Sequence, residues 1–264
     1  MRRHRLLAVL VVPVAAVATL GLASPALAAA PQHYVALGDS YSAGVGTTGS
    51  SGTCGTSPQA YPALYAAATK PVSFTQAACS GATTADVRST QVSALTSATT
   101  LASITIGGND VGFSAILEAC VLHSTSTCVA AVNSAETYAR STLPGLLGST
   151  YASIRSHAPN AHVVVLSYPL FYDLGPWFCL GLSSTDHRKL DEGIGVLDGV
   201  IQTAAAAAGF TFADVRSAFT GHEICDGGSS WLHSLNILDI DESYHPTASG
   251  QSNGYEPVFA ATAR

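Results

Sequence analysis

Short, almost unbroken apolar runs recur along this chain, with stretches of helical character between them. His33-Tyr34-Val35-Ala36-Leu37, Ser103-Ile104-Thr105-Ile106, Val163-Val164-Val165-Leu166 and Phe210-Thr211-Phe212-Ala213 are the clearest, and residues 72–76 form a weaker fifth. Runs this short do not make helices of ordinary length. A strand that is apolar throughout has to be covered on both faces. Helices are predicted between them: one opened by Tyr61-Pro62, then 113–122, 129–143, 146–157, 190–208 and 247–263, with Pro144-Gly145 separating the third from the fourth. Strand and helix alternate, which predicts an α/β protein with a parallel sheet between two helical layers. No internal repeat or linker interrupts the alternation. Residues 215–243 alone depart from it, rich in Gly, Ser and Asp. A loop of that length in a compact domain is functional or tied down, and Cys225 is placed to tie it.

The first residues lie outside this pattern. Met1, Arg2, Arg3, His4 and Arg5 form a basic head, Leu, Val and Ala dominate residues 6–22, and Ala26-Leu27-Ala28 has the small-x-small form that signal peptidase reads. The apolar run is barely long enough to span a bilayer, and a cleavage site follows it directly. Residues 1–28 therefore read as a signal peptide and 29–264 as one secreted domain, with no stable membrane insertion once the leader is removed. The leader carries three basic and no acidic residues, so a formal charge of −6 becomes −9 without it. Such a chain has no basic stripe for nucleic acid and no polybasic patch for anionic lipid.

Six cysteines, Cys54, Cys79, Cys120, Cys128, Cys179 and Cys225, all follow the leader. An even number in an exported chain predicts three disulfides, and no C-x-x-C pair points to zinc or to a redox motif. Six cysteines allow fifteen pairings. The short segment between Cys120 and Cys128 suits a local clip.

Four clusters carry chemistry. Gly38-Asp39-Ser40-Tyr41-Ser42 ends the first strand, where ligands of parallel sheets bind and where helix-initial N–H groups favour negative charge. Cys79-Ser80-Gly81-Ala82 is a glycine turn after a strand, and Gly107-Gly108-Asn109-Asp110 directly follows another. His245-Pro246 precedes the last helix. Singly, each has a plain reading: Ser40 and Asn109 as helix caps, Gly81 as a turn glycine, His245 as a loop histidine. Their order and their placement at strand ends are harder to explain that way.

These clusters, with Tyr34-Val35-Ala36-Leu37 before the first, Thr83-Thr84 after the second, Val111-Gly112-Phe113 after the third and Thr247 after the last, resemble the SGNH, or GDSL-like, hydrolases. The six-cysteine layout and Gly221-His222-Glu223-Ile224-Cys225 resemble in particular the disulfide-bonded lipases and esterases secreted by streptomycetes and related actinobacteria. The resemblance implies a three-layer α/β/α sandwich with a mostly parallel, flavodoxin-like sheet. It implies Ser40 as nucleophile and His245 as base, and an oxyanion hole made by the N–H groups of Ser40 and Gly81 and the amide of Asn109. It also implies sequential disulfides, Cys54–Cys79, Cys120–Cys128 and Cys179–Cys225.

One position departs from the wider family, in which Asp often stands three residues before the histidine; here it is Glu242. In the streptomycete subgroup a backbone carbonyl two residues before the histidine, at Ser243, can orient the ring. Asp239, Asp241 and Glu242 then read as a solvated acidic face rather than a calcium site. No metal-ligand spacing or phosphate loop is present, so neither metal nor cofactor is expected. Trp177, Phe178 and Trp231 are candidates for an acyl pocket. The expected substrate is a small-molecule or lipid ester, and the expected state a monomer. An acetylated carbohydrate or a phospholipid acyl chain would suit the same site. A non-catalytic binding protein is disfavoured because all four clusters are intact. The G-x-S-x-G elbow of other serine hydrolases is absent.

Overall fold

A computed structural model of the chain describes residues 31–175, 179–236 and 242–264. The leader, Trp177, Phe178, Asp239 and Asp241 lie outside the described residues. Five strands, β1 (His33–Gly38), β2 (Ser73–Gln76), β3 (Leu101–Thr105), β4 (His162–Leu166) and β5 (Thr211–Ala213), form one sheet in the order β2-β1-β3-β4-β5. All four pairings are parallel. This is the flavodoxin-like order, which reverses direction between β1 and β3. Every residue of the central strand β3 is buried, as expected for a strand covered on both faces, whereas the edge strand β2 is not.

The helices are α1 (Ser40–Ala43), α2 (Tyr61–Thr69), α3 (Thr84–Ser89), α4 (Phe113–Leu122), α5 (Thr125–Ser141), α6 (Leu143–His157), α7 (Ser184–Ala207), α8 (Arg216–Phe219) and α9 (Glu256–Thr262). A 3-10 turn spans Gln91–Ala94, and a π-helical turn, Gly250–Tyr255, leads into α9. Helices α2 and α9 cover one face, where Tyr34 of β1 packs against Tyr65 and Phe259. On the other face α7 packs on β4 and β5, with α5 and α6 against it. The result is an α/β/α sandwich.

Several helix ends differ from the sequence expectation. The break between α5 and α6 falls at Thr142, not at Pro144-Gly145, because Pro144 lies in the first turn of α6, where its missing N–H has no helical partner to lose. Helix α7 begins six residues before the expected start, at a capping box in which Ser183 and Asp186 satisfy each other's N–H groups. The expected last helix is divided, its first part π-helical. The strand β3 starts earlier than expected, because Leu101 and Ala102 pair with both neighbours. Disulfides join Cys54 to Cys79, Cys120 to Cys128 and Cys179 to Cys225. The last of these anchors the long loop beyond α8, which also adds a parallel bridge from Ile224 to Tyr172.

Candidate active site

The four sequence clusters meet at the carboxyl ends of β1 and β3, where the sheet order reverses, as ligand sites in such sheets do. Strand β1 ends at Gly38, whose φ of +124° and tight approach to β3 admit no side chain: a Cβ there would stand 2.5 Å from the Thr105 carbonyl oxygen. The buried amide of Gln91 brackets the same peptide, accepting from the Gly38 N–H at 2.7 Å and donating to its carbonyl at 2.8 Å. Asp39, not Ser40, caps α1, accepting from the Tyr41 N–H at 3.0 Å. The Ser40 side chain is thereby left for another partner, and His245 Nε2 lies 2.7 Å from its Oγ.

His245 comes from the loop before the π-helical turn. That loop pairs with residues 231–233: the His233 N–H donates to the His245 carbonyl at 2.9 Å, and the Tyr244 N–H to the His233 carbonyl at 2.9 Å. Tyr244 takes the left-handed conformation, with φ +65°. Its carbonyl accepts from the Tyr41 hydroxyl at 2.8 Å, and its hydroxyl lies 2.6 Å from that of Tyr172. Gln251, fully buried in the π-helical turn, donates to the Tyr41 carbonyl at 3.0 Å and accepts from the Tyr61 N–H at 2.8 Å. The extra residue of a π turn is a recurrent feature beside functional sites. Here it carries the side chain that fixes α1 to the start of α2.

Two further loops lie at the same sheet end as Ser40. The turn at Gly81 (φ +75°) hangs from β1 by the Cys79 N–H on the Gly38 carbonyl at 3.0 Å, and is tied by Cys54–Cys79. Among the described residues no group engages the N–H of Ser40 or of Gly81. The loop after β3 is locked to that turn twice. Asn109 Nδ2 donates to the Ala82 carbonyl at 2.9 Å, and the Asp110 carboxylate accepts from the N–H (3.0 Å) and hydroxyl (2.6 Å) of Thr84. One Asn109 amide hydrogen remains for a ligand.

Behind Ser40, the Tyr168 hydroxyl accepts from the Gly108 N–H at 3.0 Å and donates to Asp39 in a short hydrogen bond. Burial pushes the Asp39 carboxyl up to about 7, against the hydrogen bonds from Tyr168 and Tyr41 that hold it down. Burial also raises Tyr168 well above the ordinary phenol range. A small crevice beside Ser40 is lined by Gly108, Asn109, Phe113, Tyr168, Ile194 and Leu197, with Asp39 and Tyr41 behind.

The sequence-predicted residues Ser40, Gly81, Asn109 and His245 therefore sit at one sheet end, Ser40 at the start of α1 and the other three on loops. Trp231 does not join them: it stacks on His222 at 3.7 Å and packs edge-on against Phe219. Sequence reasoning missed Gln91, Tyr168 and Gln251, which act through partners far away in the chain. It also missed the parts of Asp39 and Asp110, although both stand inside the quoted clusters. Among the described residues no group of His, Cys, Asp and Glu is arranged to hold a metal ion.

This arrangement, a serine hydroxyl 2.7 Å from an imidazole nitrogen at a sheet end that also carries N–H groups engaged by no described residue, suits acyl transfer through a tetrahedral intermediate. Comparison with known proteins points the same way. Lipase 1 of Streptomyces coelicolor is 52% identical over 270 aligned residues, covering all of both chains. A lipase of Streptomyces rimosus is 45% identical over 93% of this chain and 96% of its own. In structure, a phospholipase A1 from Streptomyces albidoflavus superposes with a TM-score of 0.86 at 49% identity, covering 89% of this chain and 100% of that one. The crystal structure of the extracellular lipase from Streptomyces rimosus gives 0.85 at 45% identity, covering 88% and 99%. Residues 36–252 match the GDSL-like lipase/acylhydrolase family as a whole. On this evidence the chain belongs to the GDSL-like lipase/acylhydrolase family and is a carboxylic ester hydrolase.

Proposed function

We propose that the protein is secreted, its leader cleaved after Ala28, and that it hydrolyses lipid acyl esters with Ser40 as nucleophile and His245 as general base. The observation that carries this reading is the 2.7 Å contact between Ser40 Oγ and His245 Nε2, made across 205 positions of sequence at the reversal point of the sheet. Nε2 takes the hydroxyl proton as Oγ attacks the ester carbonyl, then returns it to the departing alcohol; water repeats the sequence on the acyl-serine. The developing oxyanion lies among the N–H groups of Ser40 and Gly81 and the Asn109 amide. A donor of this kind is worth about 2.7–4 kcal/mol of barrier. The Ser243 carbonyl orients the imidazole; in support, the Glu242 carboxylate makes no hydrogen bond or ion pair among the described residues. Lipid esters are favoured by the apolar crevice and by the names of the relatives, two lipases and a phospholipase A1. Three disulfides suit an oxidising, extracellular location. All the groups named come from one chain, so a monomer is sufficient.

The test is turnover of p-nitrophenyl acyl esters by Ser40→Ala and His245→Ala proteins with unchanged melting temperature. Each should lose at least about 10³-fold in kcat, and the double variant should be little worse, because the two groups act as a unit. Wild-type rates in folded Ser40→Ala protein would refute the assignment.

A further inference from the structure

Tyr244, the residue before His245, holds a backbone conformation that a bulky side chain ordinarily avoids: its φ is +65°, and its ring is fully buried. Such a conformation persists only where the surroundings over-determine it, and it recurs at functional sites. Here every polar group of the residue is engaged. The N–H donates to the His233 carbonyl at 2.9 Å, the carbonyl accepts from the Tyr41 hydroxyl at 2.8 Å, and the hydroxyl lies 2.6 Å from that of Tyr172.

The two tyrosines reach Tyr244 from different parts of the fold. Tyr41 follows Ser40 in α1, so the neighbour of one member of the Ser40–His245 pair is hydrogen-bonded to the neighbour of the other. Its ring also lies 5.1 Å from the imidazole. Tyr172 stands in the loop between β4 and α7 and is anchored on two sides. Its N–H and that of Phe171 donate to the buried Asp191 of α7, at 3.3 and 2.9 Å. Ile224 of the long loop pairs with the same segment, donating to the Phe171 carbonyl at 2.8 Å and accepting from the Asp173 N–H at 2.9 Å. The Tyr172 ring stacks on that of His187, also in α7, at 3.9 Å. Helix α7 and the long loop thus fix the Tyr172 hydroxyl, and through it the segment that presents His245. Neither Tyr172 nor Tyr244 lines the crevice at Ser40.

We propose that Tyr172 and Tyr41 are positioning residues for His245: they hold Tyr244 in its left-handed conformation, and this sets the approach of Nε2 to Ser40 Oγ. The proposal rests on the reading of Ser40 as nucleophile and His245 as base. It gives the two hydroxyls no contact with substrate and no proton of the reaction. Without them the backbone at Tyr244 relaxes toward an ordinary conformation, and the imidazole turns with it. A displacement of about 1 Å at a reacting group can cost about 10²-fold in rate.

The experiment measures kcat and KM for a p-nitrophenyl ester, with the melting temperature, in Tyr172→Phe, Tyr244→Phe, their double variant and Tyr41→Phe. Tyr172→Phe and Tyr244→Phe should each lower kcat about 10–100-fold, with KM within about twofold of wild type. Each leaves one buried hydroxyl without its partner, so the melting temperature falls too. Tyr172→Phe/Tyr244→Phe leaves neither hydroxyl and should recover much of the melting temperature. Its kcat should nevertheless stay as low as that of the single variants. Tyr41→Phe, which frees the Tyr244 carbonyl, should lower kcat to a similar extent. Tyr151 supplies the control: it is equally buried, and its hydroxyl has no partner among the described residues. Tyr151→Phe should leave kcat within about twofold of wild type. Recovery of kcat along with melting temperature in the double variant would reduce the hydroxyl pair to a structural role and overturn the proposal. So would kcat within about threefold of wild type in folded Tyr172→Phe and Tyr41→Phe proteins. Should a single variant fail to fold, the double variant, which has no orphaned hydroxyl, carries the same comparison. Wild-type turnover by folded His245→Ala protein would instead remove the assignment of the base, whatever the tyrosine variants do.

Discussion

How His245 is oriented determines how much charge the site has to carry. A base needs one ring nitrogen on the nucleophile and the other on an acceptor that fixes the tautomer. A carboxylate in that place would also stabilise the imidazolium, and its neutralisation costs about 10⁴-fold in serine protease triads. Glu242 is the carboxylate nearest in sequence among the described residues, and it contacts His245 through its own backbone: the His245 N–H donates to the Glu242 carbonyl at 3.1 Å. The backbone between them is held rigidly by the two tyrosine contacts to Tyr244, as a carbonyl acceptor requires. Glu242→Gln should therefore cost less than about tenfold in kcat, equivalent to about 1.4 kcal/mol of barrier. A thousandfold loss in a folded variant would restore a Ser–His–Glu triad. At this scale the sequence was legible where a residue belongs to a compact motif, as Ser40, Gly81, Asn109 and His245 do. Gln91 and Gln251 left no such mark. Glutamine is usually a surface residue, and these two reach backbone groups 53 and 210 positions away.

At the scale of elements, two of the segments that build the site, the Gly81 turn and the loop after β3, are braced on strand ends and on each other. In the proposed mechanism the Gly81 turn carries an N–H that faces the oxyanion, and that turn is held by the Cys79 N–H on β1 and by the Cys54–Cys79 bond. Cys120–Cys128 joins α4 to α5 and carries no group of the site. The two bonds should therefore separate in their effects. Cys54→Ser/Cys79→Ser should lower kcat at least tenfold, up to the 10²–10³ that loss of one oxyanion donor produces, and should lower the melting temperature too. Cys120→Ser/Cys128→Ser should lower the melting temperature with kcat within about twofold, because a short closed loop contributes mainly to chain entropy. Equal losses of kcat from the two pairs would show that the Gly81 turn does not depend on its bond. Strands were legible as apolar runs because burial on both faces leaves few polar positions. The start of α7 was not, since its capping box is made of polar residues that read as loop. Nor was the π-helical turn, which differs from an α-helix by hydrogen bonding rather than by composition.

For the molecule as a whole, buried carboxyls set the response to pH. Burial pushes Asp191 up to about 7, although the N–H groups of Phe171 and Tyr172 pull it down, and it raises Asp198 as well. Such a group binds its proton more tightly folded than unfolded. Its contribution to stability is complete below the ordinary value of 3.8 and is lost as pH rises through about 7. Asn keeps the acceptor at Oδ1 and cannot ionise, so Asp191→Asn should lessen the fall in melting temperature between pH 5 and pH 8. Counting one pK unit of the shift, about 1.4 kcal/mol, the variant should gain about 3–6 °C on wild type over that interval. Parallel melting curves in the two proteins would show that Asp191 does not titrate in the folded state. The same whole-chain view gives the contact between Ser40 and His245 a meaning in time. The two residues are 205 positions apart, and a polypeptide is made and exported from its N-terminus. On the proposed export route, with Ser40 as nucleophile and His245 as base, Ser40 would cross the membrane before His245, and a partly delivered chain would not yet hold the pair. By the proposed export route, an enzyme that attacks lipid esters would remain inert toward the bilayer of the cell that makes it until most of the chain lies outside.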